Sequence, residues 1–127
     1  MAGAPFDWAE YLRLATDLAN NPDEASHRTS ISRAYYSVYH AASALAIRNG
    51  YPAGQKSHKN IWNLYAKEQN RDSKRLAQWG NTMKHVRELA DYSASVPQIP
   101  GQMSQQLTYA RDFLALLAAL PPDVPGR

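Results

Sequence analysis

The chain has no cysteine. A disulfide framework and every thiolate-ligated zinc or iron–sulfur site are therefore excluded, and the usage fits a reducing compartment, so the cytoplasm is the expected location. Long apolar runs are missing too. The longest, Phe113 to Leu120, has eight residues, against the roughly 20 that cross a bilayer, so no membrane association is expected. Residues Met1 to Trp8 hold neither a basic start nor an apolar stretch, and no secretory signal is expected there. A glycine-rich phosphate loop, a serine nucleophile elbow and a paired-carboxylate signature are all absent. The four histidines, His27, His40, His58 and His85, include no pair three or four residues apart, so no metal and no other cofactor is expected.

What is present suffices for one core. The 127 residues are 44% hydrophobic, with 8 Tyr, 3 Trp and 2 Phe, so buried apolar surface can offset the ordering entropy of a single domain. The net charge of +3 is concentrated: residues 51–90 hold 8 Lys and Arg against 3 Asp and Glu. Such a central excess suits either a polyanion partner or a solvated face.

Apolar residues recur three and four apart, without sustained two-residue alternation, which predicts an all-α chain of five helices. The first follows an Asp7 cap and runs to about Asn20. The second starts near Pro22-Asp23-Glu24 and reaches about Asn49, before a loop from Gly50 to Gly54. A third runs from a Ser57 cap to about Gln69 and a fourth from about Asp72 to about Ser93, with Gly80 inside it marking a bend or a close helix contact. Pro97 and Pro100 place the start of the fifth near Gln102, and Pro121-Pro122 ends it. Short connections between such helices predict an up-and-down four- to five-helix bundle over residues 1–120, then a flexible Pro-rich tail, 121–127.

The second helix carries two organised faces. With Ile31 at 0° on a wheel of about 100° per residue, Ala34, Tyr35, Val38, Ala42 and Leu45 fall within about 60° and form the core stripe. Arg33, Tyr36, His40 and Ile47 lie opposite. Arg33 and His40 are seven residues apart, nearly two turns, so their Cα atoms are about 10.5 Å apart along one side and their side chains can converge. A guanidinium holds phosphate through paired hydrogen bonds and an imidazole moves a proton near neutral pH, a minimal set for cleaving a phosphodiester without metal. The same pair at helical spacing also occurs in purely structural roles, and Tyr36 and Ile47 beside it suit a subunit contact.

Lys56, His58 and Lys59, with Lys84 and Arg87, could line a groove that tracks an RNA backbone. Trp62 and Tyr65, beside Ile61 and Leu64, read as packing before they read as base-stacking rings. Asp91 is expected in an ion pair with Arg33 or Arg87 that fixes helix packing; pairing with Arg33 would occupy the guanidinium.

The segment Ser32-Arg33-Ala34-Tyr35-Tyr36-Ser37-Val38-Tyr39-His40-Ala41-Ala42, with Gly50, Ser57-His58 and Arg87-Glu88-Leu89-Ala90-Asp91-Tyr92 after it, resembles the small stand-alone HEPN (higher eukaryotes and prokaryotes nucleotide-binding) proteins of bacteria and archaea. The opening Trp8-Ala9-Glu10-Tyr11-Leu12-Arg13-Leu14-Ala15 is similar to the same subgroup, so the likeness covers about residues 7–120. The resemblance implies a HEPN-like helical bundle, usually a homodimer, in a family that includes metal-independent endoribonucleases and toxins paired with small nucleotidyltransferase antitoxins. Its functional mark is an arginine, four to six residues, then a histidine, which Arg33 and His40 match. Carried over, Arg33 holds phosphate and His40 moves the proton as the RNA 2′-hydroxyl attacks.

Two positions depart from the pattern. Ala34 stands where nuclease members commonly have a polar residue, so an orienting hydrogen bond is missing or comes from Tyr36 or Ser37. Ala44 stands where some toxin members carry a tyrosine that the antitoxin nucleotidylates. The resulting expectation is a ribonuclease toxin; the alternative is a non-catalytic adaptor or nucleotide-binding accessory protein that docks a nucleotidyltransferase.

Overall fold

Five α-helices and one short 3-10 turn make up the chain in a computed structural model, which describes residues 4–126. They are α1 (Ala9–Leu18), α2 (Glu24–Arg48), the turn Ala53–Gln55, α3 (His58–Lys67), α4 (Arg71–Tyr92) and α5 (Ile99–Ala118). Among the described residues there is no strand, in line with the all-α expectation.

Local chemistry explains most of the boundaries. The side chains of Asp23, Ser57 and Asn70 each accept from a backbone N–H three residues on, at 2.9, 3.0 and 2.9 Å, and so open α2, α3 and α4. Asp7 acts one residue earlier than a helix cap: its Oδ1 accepts the Ala9 N–H at 3.0 Å while Oδ2 lies 3.6 Å from Arg13. The cap position itself falls to Trp8, which already has helical dihedrals. Gly50, with φ of 106°, turns the chain after α2 in a conformation that favours glycine. The start of α5 needs correction. The helix begins at Ile99, not near Gln102, because Pro100 lies in its first turn, where the missing N–H has no partner to lose.

The 25-residue α2 is the central element. It packs on α1, α4 and α5, while α3 lies mainly against α4. Of its expected core stripe Ile31, Ala34, Tyr35, Val38 and Ala42 are buried, while Leu45 packs against the core only partly buried. Small residues let its neighbours close in: the buried Ser30 hydroxyl donates to the Ala15 carbonyl of α1 at 2.7 Å. Trp62 and Tyr65 are core residues, 1% and 0% exposed. The indole N–H of Trp62 reaches the Tyr35 hydroxyl at 3.1 Å, and the Tyr65 hydroxyl donates to the Ala42 carbonyl at 2.7 Å. Gly80 marks a close helix contact: a Cβ built there would lie 2.6 Å from the Trp62 ring.

The segment expected to be a flexible tail has a defined seat. Pro125 is fully buried, the Asn49 side-chain amide donates to its carbonyl at 3.0 Å, and the Gly126 N–H donates to Glu68 at 3.1 Å. Proline composition signals that a helix stops, not that the residues beyond it are unpacked. Removing residues 123–127 is expected to cost about 1–2 kcal/mol, from two lost hydrogen bonds and one uncovered apolar ring. Urea unfolding of the shortened chain measures it, and an unchanged midpoint would show that the seat contributes nothing.

Candidate functional site

Arg33, Tyr36 and His40 form one strip along α2, turned away from the core stripe and half-buried. The start of α1 covers part of that strip. The Trp8 indole lies parallel to the His40 imidazole, with ring centroids 3.6 Å apart and 11° between planes. Tyr11, one turn on, lies under the Arg33 guanidinium at 4.8 Å, and Tyr36 flanks the same group at 4.9 Å. Each aromatic face offers a cation its negative quadrupole. Arg33 and His40 are therefore bridged by two tyrosines, whose ring centres lie 6.2 and 6.0 Å from that of His40.

Among the described residues Arg33 carries no carboxylate. The four ion pairs among the described residues are Arg13–Asp7, Arg28–Glu24, Lys84–Glu88 and Arg87–Asp91. The Asp91 carboxylate thus goes to Arg87, at 3.5 Å, and also accepts from Ser32 at 3.3 Å. Arg33 keeps one hydrogen bond, to the Ser32 hydroxyl at 3.3 Å. A guanidinium positioned by rings and left without a counter-ion retains most of its donors for an anion.

Behind the strip lies a second, more buried group. His58, at the start of α3, stacks on Tyr39 with centroids 4.0 Å apart, and its Nδ1 meets the Tyr35 hydroxyl. That hydroxyl accepts from Trp62 and has its own proton to give, which Nδ1 of a neutral imidazole can take. Arg87 lies over Tyr35 and Tyr36 at 5.5 and 5.4 Å. Burial pushes the Tyr35 and Tyr39 hydroxyls above the usual phenol range.

Both imidazoles are shifted in the same direction. His40 is pushed down to about 4 by burial, then by Lys56, His58 and Arg33. His58 is lowered by burial and by the charges of Arg87 and Lys84. Both rings are neutral at pH 7, in a region whose charge is positive. A neutral imidazole accepts a proton, and a free guanidinium beside it holds a phosphate.

Three of the residues expected at the site are placed otherwise. Ser37 is buried and donates to the Ala34 carbonyl at 2.7 Å, so it bonds its own helix and not His40. Arg87 is only 7% exposed and lines no open groove: its charge is absorbed by Asp91 and two aromatic faces. His58 is turned inward by its bond to Tyr35. Of the remaining basic residues, Lys56 is exposed at the rim with Nζ 6.0 Å from the Tyr39 ring, Lys84 pairs with Glu88, and Lys59 is exposed on α3. Among the described residues no three His, Asp or Glu side chains gather where they could hold a metal. Trp8 and Tyr11 are the site residues that sequence reasoning missed. A signal existed in the run Phe6, Trp8, Tyr11, three aromatics crowded at one helix start.

No family model, curated protein or solved structure matches the chain.

Proposed function

We propose that this protein is a HEPN-like homodimer that binds RNA on the Arg33–His40 strip and cleaves it without a metal, as the toxin half of a toxin–antitoxin pair. The observation that carries this reading is the state of Arg33: framed by two rings and free of carboxylate among the described residues, while the nearby Asp91 is engaged by Arg87. In the reaction, Arg33 holds the scissile phosphate and neutral His40 takes the proton of the adjacent 2′-hydroxyl. The 2′-oxygen attacks phosphorus, the bond to the 5′-oxygen breaks, and the proton returns to that leaving oxygen directly or through water. A 2′,3′-cyclic phosphate and a 5′-hydroxyl remain. Ala44 offers no acceptor hydroxyl, so a nucleotidyltransferase antitoxin would neutralise this chain by docking or by modifying another position.

A second reading, a non-catalytic adaptor whose same face docks a nucleotidyltransferase, is favoured by the Trp8 indole already seated on one face of His40. RNA affinity separates the two. Arg33→Ala is expected to weaken binding of a short single-stranded RNA about 10- to 100-fold, the worth of a charge-assisted phosphate contact, and to flatten its salt dependence. Fluorescence anisotropy at two salt concentrations measures both. A wild type that binds no RNA, or an Arg33→Ala chain that binds equally, would contradict the proposal.

A further inference from the structure

The imidazole of a general base needs a fixed plane, and the usual device is a hydrogen bond to one ring nitrogen from a neighbouring polar side chain. This site lacks that device. Ala34 has no polar group, Ser37 bonds the Ala34 carbonyl, and the histidine ring-nitrogen bonds among the described residues belong to His27 and His58. What His40 has instead is a flat contact: the Trp8 indole, parallel within 11° at 3.6 Å. The indole is itself held edge-on by Phe6 at 5.0 Å and Tyr11 at 5.5 Å. Its backbone is fixed at the head of α1, where Asp7 takes the Ala9 N–H and lies near Arg13.

We infer that Trp8 is the positioning residue for His40, clamping the imidazole by its face so that both ring nitrogens stay unbonded. This rests on the ribonuclease reading for its catalytic meaning, while the clamp itself is a property of the folded chain. A hydrogen bond would orient the ring but consume a nitrogen and fix the tautomer; a face contact orients it and leaves both nitrogens for substrate. The indole also removes water from one side of a ring that already meets positive charge from Arg33 on α2 and Lys56 in the loop before α3, with the neutral His58 imidazole of α3 also facing it. The other groups facing His40 are the phenols of Tyr11, Tyr36 and Tyr39. No carboxylate offsets those charges in the shift of His40, so the clamp and the surrounding cations both favour the neutral base.

The test follows His40 by NMR in the wild type, Trp8→Ala and Trp8→Phe, with RNA cleavage measured on the same three proteins across pH. The wild-type imidazole C–H signals are expected upfield from the indole ring current, titrating near 4. In Trp8→Ala they should move downfield and titrate nearer the ordinary histidine value, and kcat should fall about 10- to 100-fold with little change in KM, as expected when a base loses its alignment. Trp8→Phe keeps a flat ring and should restore most of both. Amide exchange at Ala15, the buried residue of α1, reports whether α1 stays folded. His40 signals and cleavage that ignore Trp8 while α1 is intact would overturn the inference, as would a Trp8→Phe chain no better than Trp8→Ala. A wild type that shows the upfield signals but never cleaves RNA would overturn the ribonuclease reading alone.

Discussion

His40→Ala is expected to lower RNA cleavage about 10²- to 10⁴-fold, the usual worth of a positioned general base, while RNA affinity stays within a few-fold of the wild type. The separation comes from the two roles: Arg33 supplies the charge that holds phosphate, whereas a neutral imidazole adds little to ground-state binding. The substitution should not unfold the chain, because His40 is only half-buried and the indole above it can reach solvent. Single-turnover cleavage and anisotropy on the same preparations measure the two effects. Loss of binding in parallel with cleavage would show that His40 is a contact residue and not a base.

The pH dependence of the wild type carries the same signature. A base that titrates at about 4 stays unprotonated from neutrality down through pH 5, so cleavage should fall only as the pH drops through about 4. An ordinary histidine would lose activity near 6.5. Stability depends on pH through the same group. Above 6.5 both folded and unfolded His40 are neutral and contribute nothing; between 6.5 and about 4 the unfolded chain takes up a proton that the folded one refuses, and folding weakens as the pH falls. His58, lowered in the same direction, adds to that loss.

Gly80→Ala is expected to destabilise the chain by about 1–3 kcal/mol although alanine is the better helix former by about 1 kcal/mol. The new Cβ would sit 2.6 Å from Cε3 and Cζ3 of Trp62 and 2.7 Å from Cδ2, inside any tolerable contact. Trp62 cannot step aside: it is 1% exposed, donates to Tyr35 and meets Phe113 edge-on at 5.8 Å. Trp62→Phe makes room by removing the indole's second ring, at its own cost from the cavity and the lost hydrogen bond. In that background Gly80→Ala should cost far less, or even stabilise, giving a coupling of about 1–3 kcal/mol between the two positions. Urea unfolding of the four proteins closes the cycle. Purely additive effects would show that α3 and α4 do not meet at this point in solution.

How far the sequence speaks depends on the distance over which each feature acts. The caps at Asp23, Ser57 and Asn70 act over three residues, so the helices they open are legible from residue type alone, and α4 starts only one position before its expected start at Asp72. The inner face of α2 is legible because periodicity records burial. The start of α5 is harder to place, because proline is excluded from a helix interior but not from a first turn. The site divides along the same line. Arg33, Tyr36 and His40 share one helix, so spacing alone gives their common face. Trp8 and Tyr11 approach from another helix, and nothing in their spacing says whether α1 turns them inward or lays them over α2. Ser37 and Arg87 carry the chemistry expected of site residues, but their partners, a carbonyl one turn back and Asp91 on the same helix, draw them into the structure.

The most direct test is to incubate the purified chain and its Arg33→Ala/His40→Ala double variant with mixed cellular RNA in EDTA and to map the new ends. The wild type should produce fragments ending in 2′,3′-cyclic phosphate and starting with 5′-hydroxyl, and the double variant should produce none. Equal fragments from both proteins, or none from the wild type at high concentration, would contradict the assignment of ribonuclease chemistry to this strip of α2.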